Sequence, residues 1–140
     1  MITNERQYKI TRKKLTKLQE AQALSDQHSE TLPEVLKTAM RAGIEAQIQD
    51  LKSELEEYRD LKSAKNLEIH GIEELPRALI KVRIMRGYTQ KYLAQQIGLK
   101  EQQIQRYESQ EYAGVKLERL VHIAKVLGLA LNGTLSLQQN

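Results

Sequence analysis

The chain has 140 residues, with 22 Lys and Arg against 18 Asp and Glu and a net charge of +4 at pH 7. It contains no Cys, which argues against disulfide-stapled secreted mini-proteins, thiolate zinc sites and cysteine nucleophiles. Two Pro and seven Gly favour helices over a turn-rich sandwich. The start lacks an apolar signal segment, and the longest apolar run, residues 126–131, is far shorter than the roughly 20 residues of a membrane span. We therefore expect a soluble cytoplasmic protein with no membrane partner.

The N-terminal segment from Arg6 to Lys17 holds six basic residues and no acidic one. Its early part alternates between polar and apolar residues, which predicts an extended start. From Thr11, a suitable N-cap, Leu15 and Leu18 recur at helical spacing and predict a first helix that runs to about Leu24. The basic arm fits a solvated face, a DNA contact, a membrane-surface contact or an acidic partner equally well.

A second, long helix is predicted from about Pro33 to Lys62, because apolar residues recur there every three or four positions. This seam fits an intrachain hairpin with the first helix or a dimerising coiled coil. Residues 1–66 are therefore predicted to be a basic arm followed by a helical region for dimerisation or partner binding. The seam residues are Leu36, Met40, Ile44, Ile48, Leu51, Leu55 and Tyr58.

Residues 72–131 carry several short helical patterns and are predicted to form a separate domain after a linker at about 63–71. The segment from Leu129 to Leu137 alternates around Asn132 and Gly133, which is typical of a short strand or hairpin. Residues 132–140 are therefore predicted to be a tail or a short C-terminal β-strand.

Residues 88–108 have the spacing of a helix-turn-helix. Thr89 can cap a first helix, Gly98 lies where the chain turns through positive φ, and a second helix starts near Lys100. A projection at about 100° per residue places two amides, one guanidinium and one hydroxyl on the outer face of the second helix. Gln pairs with adenine and Arg with guanine in the major groove, so this face predicts base recognition. The outward residues are Gln102, Gln105, Arg106 and Ser109.

Residues 79–127 resemble the phage repressor/Cro-like (Xre-type) helix-turn-helix domain. The resemblance implies an all-α fold in which the helical hairpin or coiled-coil extension precedes a five-helix lambda-repressor-like domain. It also implies a homodimer that regulates transcription by binding a palindromic operator in double-stranded DNA. The matching residues are Arg83, Gly87, Thr89, Gln90, Leu93, Ala94, Gly98, Ile104, Glu108, Leu120, Ala124, Leu127 and Gly128.

The resemblance also assigns roles to individual residues. Thr89, Gln90 and Lys91 would hold phosphates, and Arg83 with Glu108 would form a buried structural pair. Lys100, Glu101 and Gln102 match the first turn of the recognition helix. There Glu101 is either a specificity element that accepts from cytosine N4 or a capping residue, and we favour capping. Gln105 and Arg106 match later outward positions of that helix. The next loop departs from the family pattern because Ser109 and Gln110 stand where Gly is usual; its expected phosphate contacts are Tyr112 and Lys116.

The long N-terminal region is similar to the helical extension of a subgroup of Xre-type proteins, and many Xre-type proteins of this size are antitoxins. The alternative function is therefore an antitoxin that neutralises a small protein toxin through its N-terminal helices and autorepresses its operon. The three His, at positions 28, 70 and 122, lie far apart, and no Gly-rich phosphate loop or nucleophile elbow is present. We expect no enzymatic activity, no catalytic residues, no cofactor and no metal.

Overall fold

The computed structural model describes residues 1–28 and 31–139, and these ranges contain helices and turns without a strand. The predicted all-α class is confirmed. The chain divides into two compact units, residues 1–65 and 66–140. No helix in the described ranges combines the length and the apolarity that a membrane crossing demands.

The first unit is a hairpin of two long helices, α1 (Glu5–His28) and α2 (Glu34–Ser63). Near its open end the rings of Tyr8 and Tyr58 lie 5.3 Å apart. Near its turn Arg41 Nε donates to Asp26 Oδ1 at 3.1 Å. These contacts make the helices antiparallel, and the later part of the α2 seam, with Ile48, Leu55 and Tyr58 buried, packs within one chain as in the hairpin alternative. The earlier seam residues Leu36 and Met40 are exposed.

The start of α1 lies six residues before the predicted cap at Thr11, because a capping pair precedes the basic arm. Asn4 Oδ1 accepts a hydrogen bond from the Gln7 main-chain N–H at 2.9 Å. In return Gln7 Oε1 accepts from the Thr3 main-chain N–H at 2.8 Å. Such reciprocal bonds satisfy main-chain donors that a helix start leaves unpaired. The prediction of an extended arm was therefore wrong, and the arm is helical from Glu5.

The second unit contains four α-helices preceded by one turn of 3₁₀ helix, five helical segments in the described residues. Its core is aliphatic and lies among all four α-helices. The elements are the 3₁₀ turn Ile72–Glu74, α3 (Leu75–Met85), α4 (Gln90–Ile97), α5 (Glu101–Ser109) and α6 (Leu117–Val126). The most deeply buried side chains are Leu79, Ile80, Leu93, Ile104, Ile123 and Leu127.

The C-terminal segment after α6 forms neither helix nor strand over residues 129–139. Leu135 and Leu137 are 103% and 99% exposed, so the alternating pattern buries no apolar face. A two-stranded hairpin without a packing surface is only marginally stable in water. Of the two predicted alternatives, a tail or a short β-strand, residues 132–139 form the tail; Asn140, the last residue of that prediction, lies outside the described ranges.

Candidate nucleic-acid interface

The turn between α4 and α5 is set by local chemistry at both ends of α4. Thr89 Oγ1 accepts from the Tyr92 main-chain N–H at 3.0 Å and caps the start of the helix. Gly98 ends the helix with φ 72° and ψ 29°, a left-handed conformation that an L side chain adopts only with strain. The predicted cap and the predicted positive φ are both confirmed.

A buried network joins α3, α4 and α5 around one carboxylate. Arg83 Nε donates to Glu108 Oε1 at 2.5 Å, and Arg83 Nη2 donates to Glu108 Oε2 at 2.8 Å. The two side chains are only 3% and 1% exposed. Gln90 Nε2 also donates to Glu108 Oε2, at 2.7 Å, and Arg83 Nη1 donates to the Tyr88 carbonyl, at 2.7 Å. A buried ion pair needs such added hydrogen bonds to offset its desolvation, and here they also hold α5 in one orientation.

The position of Gln90 corrects the role that the sequence assigned to its side chain. The residue is only 5% exposed, and its amide is engaged by Glu108 inside the unit. The side chain therefore belongs to the buried network and is not directed at a phosphate. Thr89 and Lys91, on either side of it, are exposed as a phosphate contact requires.

The outer face of α5 carries the predicted base-reading side chains in exposed positions. Ile104 is fully buried on the opposite side, which fixes the direction of the outer face. Within the described part of the chain, no hydrogen bond or ion pair engages the amide of Gln102 or the guanidinium of Arg106. Ser109 Oγ donates to the Arg106 carbonyl at 2.9 Å, so its hydroxyl proton serves the helix. All four residues of this face are exposed: Gln102, Gln105, Arg106 and Ser109.

The cap of α5 is made by Gln103, which the sequence interpretation did not single out. Gln103 Oε1 accepts from the Lys100 main-chain N–H at 2.9 Å. Glu101 Oε1 instead accepts from Gln105 Nε2 at 3.4 Å. The capping role favoured for Glu101 was therefore wrong, although its charge in the first turn still complements the helix dipole.

The loop between α5 and α6 has an irregular backbone. Glu111 and Tyr112 both have positive φ, 50° and 59°, which non-glycine residues rarely adopt. Tyr112 is 3% exposed, and its hydroxyl has no hydrogen-bond partner among the described residues. Burial raises the pKa of this hydroxyl, and the negative charge of Glu108 raises it further. The expected phosphate contact of Tyr112 was therefore wrong.

A cleft of about 560 Å³ opens where this loop meets α6, and three cations surround it. Arg106 comes from α5, Lys116 occupies the N-cap position of α6, and Arg119 lies in the first turn of α6. The sequence interpretation missed Arg119. The sequence could have indicated Arg119, because it lies three residues after Lys116 and residues three apart share one side of a helix.

Several basic residues of the second unit are used internally. Arg77 Nη2 lies 2.7 Å from Glu111 Oε1 in an exposed ion pair. Arg86 Nε donates to the Leu127 carbonyl at 2.8 Å, beyond the end of α6. Sequence counting gives Arg77–Arg106 seven basic residues and one acidic residue, but it does not show which cations have internal partners. Lys91, Lys100 and Arg106 remain exposed for an outside ligand.

Comparisons with known proteins agree with this geometry. A family model described as Helix-turn-helix matches residues 79–133, a stretch that includes α4, α5 and α6. No curated protein and no solved structure matches the chain. Within residues 1–28 and 31–139, no cluster of three or more His, Asp or Glu could hold a metal ion. Residues 79–133 are therefore a helix-turn-helix domain of the Xre, or lambda repressor-like, type, which supports DNA binding in transcriptional regulation as the role of the second unit.

Proposed function

We propose that the protein is a cytoplasmic transcriptional repressor without enzymatic activity, and that it binds a palindromic operator as a homodimer. The observation that carries the proposal is the outer face of α5. Gln102 and Arg106 are exposed there with no hydrogen bond or ion pair among the described residues, while Glu108 on the same helix is locked to Arg83. A helix that is rigidly held and presents unpaired amide and guanidinium groups is suited to direct readout in the major groove.

The chemistry of this face defines the bases it would recognise. The amide of Gln102 offers a carbonyl acceptor for the adenine N6 donor and, beside it, an N–H donor for the adenine N7 acceptor. The guanidinium of Arg106 has two parallel donors, which match O6 and N7 of guanine. Gln105 would contribute after exchanging its 3.4 Å bond to Glu101 for a base edge. An operator half-site read by α5 should therefore contain both an adenine and a guanine.

Exposed groups around α5 would hold the DNA backbone and set the register of the helix. Thr89 and Lys91 lie at the start of α4, and Lys100 lies at the start of α5. Lys116 lies at the start of α6. Contacts of this kind bind phosphates of any sequence and make affinity fall with salt.

The palindromic site follows from the small reach of a single recognition helix. The nine residues of α5 span only about 13 Å, at a rise of about 1.5 Å per residue. Such a helix reads a few base pairs, too few to define an operator. Two copies related by a two-fold axis would place their α5 helices about 34 Å apart, on successive major grooves.

The proposal is tested by selecting bound duplexes from a random pool and measuring affinity for the selected site. Replacing Gln102 or Arg106 by Ala should cost about 1–3 kcal/mol each and relax the base preference at one position per half-site. The matched control is Lys91→Gln, which should weaken all sequences alike and reduce the salt slope by about 1. Unchanged operator affinity in both alanine variants would rule out this readout, and a selected site without two-fold symmetry would rule out the dimer.

The antitoxin function is a second candidate because apolar side chains are exposed near the turn of the hairpin. Leu24 is 57% exposed near the end of α1, and Val35 is 84% exposed in the first turn of α2. Leu36 and Met40 follow on α2 with 47% and 41% of their surface exposed. Apolar side chains concentrated at one end of a helical unit are typical of a protein-binding surface.

Co-expression with the product of the neighbouring reading frame tests the antitoxin role. A toxin partner should co-purify with the parent chain and should be lost from Val35→Ser/Leu36→Ser. A matched pair of Ser substitutions at Val121 and Leu117, which are also exposed apolar residues but lie in the second unit, should retain it. Growth inhibition by the neighbouring product alone, relieved by the parent chain, is the second readout. A neighbouring product that is harmless and does not bind would exclude this candidate.

A further inference from the structure

Between residues 6 and 17 the outward side of α1 is a continuous basic surface, and Glu20 lies on the same side beyond its end. Five cations lie there at helical spacing, all of them exposed, and the interleaved residue is Thr16. No hydrogen bond or ion pair engages these five side chains within the described part of the chain. We call this surface the α1 basic face; its residues are Arg6, Lys9, Arg12, Lys13 and Lys17.

Most of this surface is directed away from α2, and Lys17 at its edge also lines a groove with Asp50 of α2. The opposite side of α1 carries Tyr8, whose ring packs on Tyr58, and the half-buried Leu15 and Leu18. A projection at about 100° per residue puts these apolar positions on the far side from the basic residues. The cross-helix ion pair near the turn uses Asp26 of α1, not a cation of this face. Among the described residues, therefore, no ion pair of the hairpin engages any of the five charges.

The length and charge of the α1 basic face match those of a polyanion. From Arg6 to Lys17 the helix rises by about 16 Å, and the same length of duplex DNA carries about ten phosphate charges. Neighbouring cations on the face are closer together than the Debye length of about 8 Å at physiological salt, so their potentials add. Concentrating like charges costs free energy in the isolated protein, and an anionic partner relieves that cost.

The composition of the face favours a phosphate backbone over a membrane or an acidic protein. A membrane-surface helix inserts an apolar side, but the apolar side of α1 is packed on α2. Stable protein interfaces are centred on several buried aromatic or aliphatic anchors, whereas the described residues beside these cations offer Ile10, 44% exposed at the edge of the face, and no cluster of such side chains. Phosphate backbones are bound through charge and need neither feature.

We propose that the α1 basic face binds the phosphate backbone of double-stranded DNA, as a sequence-independent contact made by the first unit. The inference rests on the proposed function for its partner. Because both units belong to one chain, operator binding by α5 raises the local concentration of duplex around the first unit. The α1 contact then adds affinity and salt dependence without adding base preference.

The test compares two triple variants of the full chain that lose the same charge from the same unit. The test variant is Arg12→Gln/Lys13→Gln/Lys17→Gln, which leaves out Lys9 because its charge also acts on the Glu5 carboxylate. The control variant is Lys52→Gln/Arg59→Gln/Lys65→Gln, at exposed positions off this face. Gln has nearly the helix propensity of Lys and Arg, and circular dichroism checks that both variants keep their helices.

Affinity for the selected operator and for a random duplex is measured across a series of salt concentrations. The test variant should lower the slope of log affinity against log salt by about 2 to 3 on both DNAs, because each lost phosphate contact accounts for about 0.9. The control variant should keep the parental slope. If the parent binds the operator specifically but the salt slopes of the test and control variants are equal, the α1 basic face does not contact DNA. The proposed function would still stand in that case.

Two further probes separate the duplex from other polyanions. Poly-L-glutamate stands for an acidic protein, and vesicles of equal parts phosphatidylcholine and phosphatidylserine stand for a membrane surface. The parent should bind duplex more tightly than either probe at equal charge concentration. If the parent binds one probe more tightly than duplex, and the test variant no longer binds that probe, the face would be assigned to that partner instead. A parent that binds no duplex at all would overturn both this inference and the proposed function.

Discussion

Arg83 and Glu108 form a two-point ion pair inside the second unit, with Nε–Oε1 at 2.5 Å and Nη2–Oε2 at 2.8 Å. Arg83 lies on α3 and Glu108 on α5, so the pair ties the recognition helix to the body of the unit. Neither residue reaches the outer face of α5. Substitutions here should therefore lower DNA binding through folding and not through a lost contact, which makes the two effects separable by experiment.

Replacing Arg83 by Met should destabilise the protein by about 3–5 kcal/mol, because it leaves the Glu108 carboxylate buried without its partner. The control is Arg77→Met, which breaks the exposed pair with Glu111 and should cost no more than about 1 kcal/mol. Urea unfolding followed by far-UV circular dichroism measures both. Similar losses in the two variants would show that burial of the Arg83 pair carries no special weight.

Gln90→Ala should lower stability and leave the salt dependence of DNA binding unchanged. A hydrogen bond to a charged group contributes about 1.5–3 kcal/mol, and Gln90 makes one to Glu108 at 2.7 Å. Lys91→Gln should give the opposite result, with little change in stability and a smaller salt slope. Weaker binding of Gln90→Ala to all duplexes alike, measured on fully folded protein, would restore the phosphate contact that the sequence suggested for this neutral side chain.

The features of the interface that could be predicted from sequence are those decided within a few residues. A hydroxyl at Thr89 caps α4 because the N–H that it accepts lies only three residues ahead. Gly98 turns the chain because it alone in this stretch adopts positive φ without strain. The role of Gln90 was not predictable in this way, since its acceptor Glu108 lies 18 residues later and is brought near only by packing of α5.

The same distinction explains the errors in the fold. The true cap of α1 was a local signal, since Asn4 with Gln7 three residues later is the pattern of a reciprocal cap. The C-terminal alternation was also local, but a strand needs a partner and a surface, and Leu135 has neither. Tyr112 lies in a loop with positive φ at two non-glycine residues, and its ring lies 5.9 Å from that of Tyr107, features that no short motif reports.

Two glycines should respond to alanine with opposite signs. Gly98 has φ 72° and open space around a Cβ, so the cost of Gly98→Ala comes from the backbone alone, about 1–2 kcal/mol. Gly43 lies inside α2, also with open space, and Gly43→Ala should stabilise the helix by about 1 kcal/mol. Thermal and urea unfolding of the two variants provide the measurement. A stabilising Gly98→Ala would contradict the left-handed turn between α4 and α5.

Tyr112→Phe should leave stability unchanged or raise it near neutral pH and should change how stability depends on alkaline pH. The hydroxyl has no hydrogen-bond partner among the described residues, so its removal relieves a desolvation cost of about 1–3 kcal/mol. Burial, with the charge of Glu108, raises the folded pKa above the ordinary value of 10.0. The unfolded chain therefore loses this proton first as pH rises above that value.

In the parent, the Tyr112 hydroxyl should therefore make a constant contribution to the free energy of unfolding below pH 10. Above pH 10 this free energy should fall, by at most about 1.4 kcal/mol per pH unit, because the unfolded chain releases the proton and the folded chain keeps it. In Tyr112→Phe that part of the loss should vanish, so the stability difference between variant and parent should widen above pH 10. Tyr92→Phe, at a residue 40% exposed, is the control and should show no such widening. Urea unfolding below and above pH 10 makes the comparison. A constant difference for Tyr112→Phe would mean that its hydroxyl ionises as easily in the folded chain as in the unfolded one, which is incompatible with the buried position between α5 and α6.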